Sequence, residues 1–509
     1  MTRVAAVILA AGQGTRMKSS LPKVLHPVGG LPLVLWSVRS ARALGAEPVV
    51  VVVGVGAEAV KEAVGPDVLY AYQAERLGTG HAALQARELL QGVADAVLVL
   101  YGDMPNLRPE TLQRLVAMHL ENEPAITLLS VISEDSMGFG RVVRDPEGQV
   151  QEIVEEAVAT PEILALKELN CGIYCFDAAW LWEHLPQVPV TPPKGEYYLT
   201  DTVGLAVRGG RCVRVLAITD VTEVQGINTR VHLAQSERIM RERINERLML
   251  SGVTLVDPAS TYVEATVQVG CDTVIYPNTH LQGDTVIGER CTVGPNSIVR
   301  DTHIGHDCRV LASVLEGAIL EDRAEIGPFG HLRPGAHLGQ GVHMGNFGEV
   351  KNAYLAPGAK MGHFSYVGDA EIGPEANIGA GTVTCNFDGR RKHRTVIGEG
   401  AFIGSGTMLV APVTIGKGAV VGAARWSPAM CPTTRSPTVC RPGPRARWMA
   451  SRRRADDPNL VDRRGRPDRG LAGTIRCGDR GAPPRLCDLF TLPGRRCLAH
   501  GLRAHLCRL

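Results

Sequence analysis

From about residue 263 the chain repeats every six residues. Val263, Val269, Ile275, Leu281, Ile287, Val293 and Val299 are each six apart, commonly followed by glycine or another small or acidic residue. The phase returns at Ile326, Leu332, Leu338, Met344 and Val350, then at Ile397, Ile403, Leu409, Ile415 and Val421. A period of six over such a span specifies a hexapeptide solenoid, a left-handed parallel β-helix whose inward aliphatics stack in columns. Between Ile378 and Ile397 the segment GAGTVTCNFDGRRKHRTV breaks the rhythm with a polar, cationic loop. A loop leaving a solenoid usually serves a binding face.

The first 230 residues follow a different rhythm. Val4–Leu9, Val49–Val53 and Ala96–Tyr101 read as strands; Pro32–Leu44, Ala57–Val64 and Gly80–Leu90 read as helices. Continuous apolar strands separated by helices predict a Rossmann-like α/β domain, with a parallel sheet covered on both faces. Ligands bind such sheets beyond the carboxyl ends of the strands, where Gly12, Gly14, Arg16 and Asp103 fall. Residues 229–252 form one amphipathic helix with Leu233, Met240, Ile244 and Leu248 on a single face. The expected division is 1–228 α/β domain, 229–250 linker helix, 251–424 β-helix and 425–509 an atypical tail.

The stretch LAAGQGTRMKSSLPKVL (9–25) ends the first strand with two glycines and two cations, Arg16 and Lys23. Close backbone approach, exposed N–H groups and positive charge suit an anion, phosphates first. A Walker loop needs Gly-Lys-Ser/Thr where Thr15-Arg16 stands, and the dinucleotide fingerprint needs a glycine where Met17 stands. Neither familiar phosphate loop fits. Taken alone, Asp103 in YGDMP is equally a turn or helix N-cap residue, and His363 in GHFSY suits a solvated corner of the solenoid.

Charge excludes some classes. A net charge of +2 with 21% charged residues implies no general attraction to nucleic acid or anionic membrane. The N-terminal apolar run is too short to span a bilayer and lacks a cleavage site, so a cytoplasmic protein is expected. Cysteines before residue 400 are dispersed, with Cys171 and Cys175 on one strand, and are read as buried reduced thiols. His303, His306, His331, His337 and His343 are too scattered to specify a zinc site.

The two halves together resemble the bacterial bifunctional N-acetylglucosamine-1-phosphate uridyltransferase / glucosamine-1-phosphate N-acetyltransferase family. The residues that carry the resemblance are LAAGQGTRMKSSLPKVL, QAERLGTGHA (73–82), YGDMP (101–105), GFGRVVR (138–144), LNCGIY (169–174), GEYYLTD (195–201) and GINTR (226–230). In the second half they are RPGAHLG, GNFGEVKNA, GHFSYVGDAEIG, NIGAGTVTCNFDGRRKH and FIGSGTMLVAPVTIG. The likeness runs from residue 1 to about 423, and the order and spacing of the motifs make it specific.

The resemblance implies roles. Leu9, Ala10, Ala11 and Gly12 would contact the nucleotide, Arg16 would clamp the triphosphate, and Lys23 would add a phosphate contact. Gln73, Gly78 and Thr79 would read uracil. Tyr101, Gly102, Gly140, Glu155 and Asn170 would surround sugar and ribose, and Asp103 and Asn228 would ligate Mg²⁺. In the β-helix His363 would be the general base. Arg333, Lys351 and Lys392 would hold the sugar phosphate, Tyr366 and Asn377 the sugar hydroxyls. Ala380, Asn386, Phe387, Ser405 and Ala423 would contact acetyl-CoA; Phe387 stands where the family commonly has tyrosine. UTP and acetyl-CoA would be co-substrates, the assembly a homotrimer, and the product a precursor of bacterial cell-wall polysaccharide.

After GKGAVVGAA (416–424) the hexads stop, and Arg, Pro, Cys and Trp accumulate from RWSPAMCP onward. One permitted set of codons for Arg425 to Thr433, read two bases later, spells Val-Val-Thr-Gly-Asp-Val-Pro-Asp, the kind of run the family carries there. A slipped frame near residue 424 is the reading, with a disordered tail beyond it. Two other functions compete: a nucleotidyltransferase with one activity whose β-helix only oligomerises, and a scaffold with decayed sites. The loop with Asn386 and Lys392, together with His363, argues against the first; the joint presence of Arg16, Lys23, Asp103 and His363 argues against the second.

Overall fold

The computed structural model describes residues 2–191 and 195–424; the expected disordered tail and frame slip lie outside them. The first half is built on a sheet whose strands run in the order 213–218, 126–132, 168–177, 96–101, 4–9, 49–53 and 69–72. Alternate residues of Val4–Leu9 face opposite layers: Val7 and Leu9 meet the helices around Ala82 and Trp182, and Ala6 and Ile8 meet those carrying Val38 and Leu115. Leu9 pairs in register with both Val52 and Tyr101, so the loop after Leu9 and Asp103 leave the same end of the sheet.

Two expectations need correction here. Glu168–Asp177 is antiparallel to both of its neighbours. Buried on both faces, LNCGIYCF reads as a continuous apolar run whichever way it points. The helix expected over Gly80–Leu90 is two pieces, Thr79–Leu84 and Arg87–Leu90.

Arg230–Leu250 is the linker helix, begun by Thr229, whose hydroxyl accepts from the His232 N–H at 3.2 Å. Met240, Ile244 and Leu248 are buried with Val28 and Leu33 on one side and Val253, Leu255 and Val263 on the other, with Leu233 packed at the edge. Polar contacts tie the helix to both halves. Ser236 donates to Asn106 Oδ1 at 3.1 Å, and Asn245 donates to the carbonyls of Pro258 and Thr261.

The second half is a three-walled parallel β-helix. Ile275, Val293, Val310, Ile326, Met344 and Met361 fill one inward column, each nearly or fully buried. A regular coil is three hexads, so Ile275 pairs with Val293 eighteen residues on. Tight corners shorten the coil to sixteen between Val310 and Ile326, which is why the period of six drops out of the sequence there. The step from Ile378 to Ile403 is twenty-five, the surplus being the loop the sequence marked.

The cysteine expectation also holds only in part. Cys171, Cys175, Cys291 and Cys308 are buried, but Cys212, just before a strand, and Cys271, at a coil corner, are exposed.

Candidate functional site

At the carboxyl end of the sheet lies a cavity of about 460 Å³ lined by Leu9, Ala10, Ala11, Gly12, Arg16, Lys23, Gln73, Gly78, Thr79, Tyr101 and Asp103. That size suits a small organic ligand. One wall is stitched from distant motifs: Gly80 N donates to Tyr197 O at 2.8 Å, and Leu199 N to the Thr79 hydroxyl at 3.0 Å. Gly78 has φ +100°, and a Cβ there would stand 2.5 Å from Tyr197 O, so only glycine fits. The Gln73 amide is buried and donates to Gly78 O at 3.2 Å, which fixes its outer edge.

The charged groups converge at the mouth. Lys23 forms an ion pair with Asp103, and the same ammonium lies 3.3 Å from Asn228 Oδ1. Arg16 donates to that oxygen at 2.8 Å. Asn228 is brought across by the backbone, Ile227 N donating to Asp103 O at 3.0 Å. One cation therefore touches both the carboxylate and the amide oxygen, two hard donors of the kind Mg²⁺ takes.

Residues assigned to the sugar lie alongside. Asn170 is buried; its N–H donates to Gly140 O at 2.9 Å and its amide to the Tyr174 hydroxyl at 2.7 Å. Thr200 donates to Glu155 Oε1 at 2.9 Å. Gly102 N donates to Leu9 O at 3.0 Å and closes the turn before Asp103. Burial raises the Tyr101 phenol well above its ordinary pKa, and the Glu155 and Asp103 charges add to this, so the hydroxyl stays protonated.

On the β-helix the expected site residues lie on one wall and its two edges, except Asn377. The first edge is a ladder of corners: Gly381 N donates to Phe364 O, Gly406 N to Ala380 O and Ala424 N to Ser405 O, at 2.6, 2.7 and 3.0 Å. It stacks the His363, Ala380, Ser405 and Ala423 corners one above another. Asn377 lies on the adjoining wall beside Phe402. The opposite edge carries Asn386, Phe387 and Lys392 in the outward loop. Between the edges, Arg333, Lys351 and Tyr366 lie on successive coils, Arg333 ion-paired with Glu349 at 2.9 Å. Among the described residues no group of three or more histidine, cysteine and carboxylate side chains is placed to hold a metal ion; His331, His337 and His343 each face a glutamate.

A MobA-like NTP transferase domain matches residues 6–139, and the bacterial transferase hexapeptide model matches 266–301 and 394–423. The chain is 47% identical over 423 residues to the bifunctional protein GlmU of Geobacillus sp. (strain WCH70), covering 83% of this chain and 92% of that protein. It is 46% identical over 426 residues to the bifunctional protein GlmU of Pelobacter propionicus, covering 83% and 93%. The chain belongs to the bifunctional GlmU family. Its likeness to the GlmU protein of Enterococcus faecalis is 46% over 410 residues, covering 81% and 90%.

Membership in the GlmU family leaves some cavity residues that sequence reasoning passed over. Arg76, Glu196 and Tyr198 line the same cavity as Arg16. Arg76 donates to the Gln13 side chain and so bridges the glycine loop to the opposite wall. The motifs QAERLGTGHA and GEYYLTD contain all three, but nothing in the sequence says which member of each points inward.

Proposed function

We propose that the chain makes UDP-N-acetylglucosamine in two steps: acetyl transfer from acetyl-CoA to glucosamine 1-phosphate, then uridylyl transfer from UTP to the N-acetylglucosamine 1-phosphate formed. The observation that carries this is the convergence of Arg16, Lys23, Asp103 and Asn228 beside a nucleotide-sized cavity, in a chain that matches nearly the whole length of relatives named as bifunctional.

In the uridylyl step a phosphate oxygen of the sugar attacks the α-phosphorus of UTP; that P–O bond forms, the α–β bridge breaks, and pyrophosphate leaves. Arg16 and Lys23 neutralise the charge that gathers on the phosphates. Gln73, Gly78 and Thr79 face the base, and Tyr101, Gly102, Gly140, Glu155 and Asn170 the sugars. Asp103 and Asn228 would hold Mg²⁺, which supplies charge neutralisation on the phosphate oxygens. Lys23 then has to leave Asp103, and an arriving phosphate gives its ammonium a new partner.

In the acetyl step the amine of glucosamine 1-phosphate attacks the thioester carbonyl, the C–N bond forms, the C–S bond breaks and CoA thiolate leaves. His363 takes the amine proton. Arg333, Lys351 and Lys392 hold the sugar phosphate, Tyr366 and Asn377 its hydroxyls, and Ala380, Asn386, Phe387, Ser405 and Ala423 the coenzyme.

A homotrimer fits the division of these residues between two edges. A neighbour that apposes its Asn386 edge to the His363 edge completes the site. Met408, Val410 and Phe387 stand 57%, 67% and 61% exposed on and beside this wall, apolar surface that such packing would cover. Among the described residues no helix is long and apolar enough to cross a membrane. The proposal includes a cytoplasmic place of work, where UTP and acetyl-CoA are supplied, and working units at 1–228, 229–250 and 251–424.

The test assays pyrophosphate release and thiol release separately, with particle mass by light scattering. Both activities and a threefold mass are expected; pyrophosphate without thiol would leave only the uridylyl half of the proposal, and neither would end it.

A further inference from the structure

The loop from Asn386 to Arg394 is organised by two carboxylates. Asp388 closes it from within: one oxygen accepts the N–H groups of Arg390 and Arg391, both at 2.8 Å, and the other meets His393 Nε2 at 2.7 Å. Asp369 ties it to the preceding coil. It stands at the corner between two walls with φ +48°, stacked on Asn352, which also turns the corner at positive φ. Asn352 donates to Asp369 Oδ1 at 2.6 Å; the Asn386 amide donates to Oδ2, and Lys392 Nζ lies 3.7 Å from that oxygen.

The chemistry of this contact has a direction. A carboxylate only accepts, so Asn386 must turn its NH₂ group towards Asp369. The second partner of that nitrogen is the Tyr366 hydroxyl, at 3.5 Å. The amide oxygen is then the atom Asn386 has left to offer, and it can only accept.

We propose that Asp369 is a positioning residue for acetyl transfer: it locks Asn386 with its carbonyl turned to the ligand, as an acceptor for a substrate N–H, and holds Lys392 at the same corner. This rests on reading the β-helix as the acetyltransferase. Two ligand groups have the matching chemistry, the amine of the sugar and the amides of the pantetheine arm. Asn386 in this orientation does not donate to the thioester oxygen, so a donor to that oxygen has to be another group. An inverted amide would present N–H where an N–H has to be received, and would lose the contact and repel.

The experiment uses the full chain with Asp369→Asn and with the exchanged pair Asp369→Asn plus Asn386→Asp. The amide that D369N introduces keeps the size of the carboxylate and still bonds to Asn386. It can donate or accept, however, so it no longer dictates which edge Asn386 shows. The exchanged pair restores a single direction: the amide now at position 369 donates inward, the carboxylate now at position 386 offers an acceptor outward, and net charge is unchanged. D369N should lower kcat/KM for acetyl transfer by roughly ten- to a hundredfold, the scale of a misplaced contact, with uridylyl transfer and melting temperature as in the parent. The exchanged pair should recover most of the loss.

A rise in KM for acetyl-CoA assigns the N–H to the pantetheine arm; a rise for glucosamine 1-phosphate assigns it to the amine. Unchanged kinetics in D369N, or an exchanged pair no better than D369N, overturns the proposal while leaving the acetyltransferase reading in place. A parent chain that releases no thiol overturns the reading itself and this inference with it.

Discussion

Lys23 and Asp103 are ion-paired although eighty residues separate them, with side chains only 14% and 15% exposed. The pair closes the mouth of the cavity, and Asn228 Oδ1 sits within 3.3 Å of the same ammonium. A lysine thus occupies the point between two oxygen donors that a divalent ion would take. Competition between the two cations follows from simple electrostatics, because a carboxylate at this depth gains more from a double charge than from a single one.

Lys23→Met should therefore split two properties. The nucleotide-free chain should bind Mn²⁺ about tenfold more tightly, a change of about 1.4 kcal/mol, since Asp103 no longer has a resident cation. Uridylyl transfer should fall by about 10²–10³, the usual loss when one charge-stabilising donor is removed. Titration of Mn²⁺ by electron paramagnetic resonance reads the first and pyrophosphate release the second. Weaker or equal Mn²⁺ binding would show that Lys23 and the ion do not contend for one place.

Much of this was legible beforehand, and the gaps have physical causes. Val4–Leu9, Val49–Val53 and Ala96–Tyr101 are continuous apolar runs, and their bounds agree with the structure. The glycine loop and Asp103 could be placed at one end of the sheet from strand direction alone. The residues alone could not pair Asn228 with Asp103, and only the family resemblance did, because the link is a backbone hydrogen bond from Ile227 across the domain. Arg76 was hidden because only the fold shows which residue of QAERLGTGHA lines the cavity. Asp369 reads as an ordinary corner residue in GDAEIG; only the fold brings Asn386 and Lys392 to it.

Gly172 gives a second test of the first site. It has φ +75°, and a Cβ there would stand 2.5 Å from Tyr101 Cε2. Alanine would strain the backbone by about 1–2 kcal/mol and push the ring out of the cavity wall. Gly172→Ala should raise KM for the sugar phosphate more than for UTP and leave thiol release untouched. Equal effects on both substrates would mean that Tyr101 does not line the sugar side.

His363 tests the independence of the two halves. Removing a general base costs about 10²–10⁴ in rate. His363→Ala should lower thiol release by that factor and leave pyrophosphate release as it was. The side chain is exposed at a corner, so the melting temperature should hold. Thiol release at the parental rate would move the base elsewhere on the wall.

His119 ties the stability of the first half to pH. It is buried on the helix Pro109–Asn122, with Nδ1 3.0 Å from the Thr127 hydroxyl. Burial lowers its pKa from 6.5 to about 4, and the Asp177 charge offsets only part of this. Between those values the unfolded chain holds a proton that the folded chain does not, so stability rises with pH across the window. The contribution is complete above pH 6.5 and fades as pH falls towards 4; a shift of this size amounts to about 3 kcal/mol. His119→Gln cannot titrate and loses the dependence while keeping a polar group near Thr127. Urea midpoints of the two proteins should thus differ most at about pH 7 and draw together by about pH 4.5. A gap that stays constant over that range would mean that His119 takes up its proton as readily inside the fold as outside it.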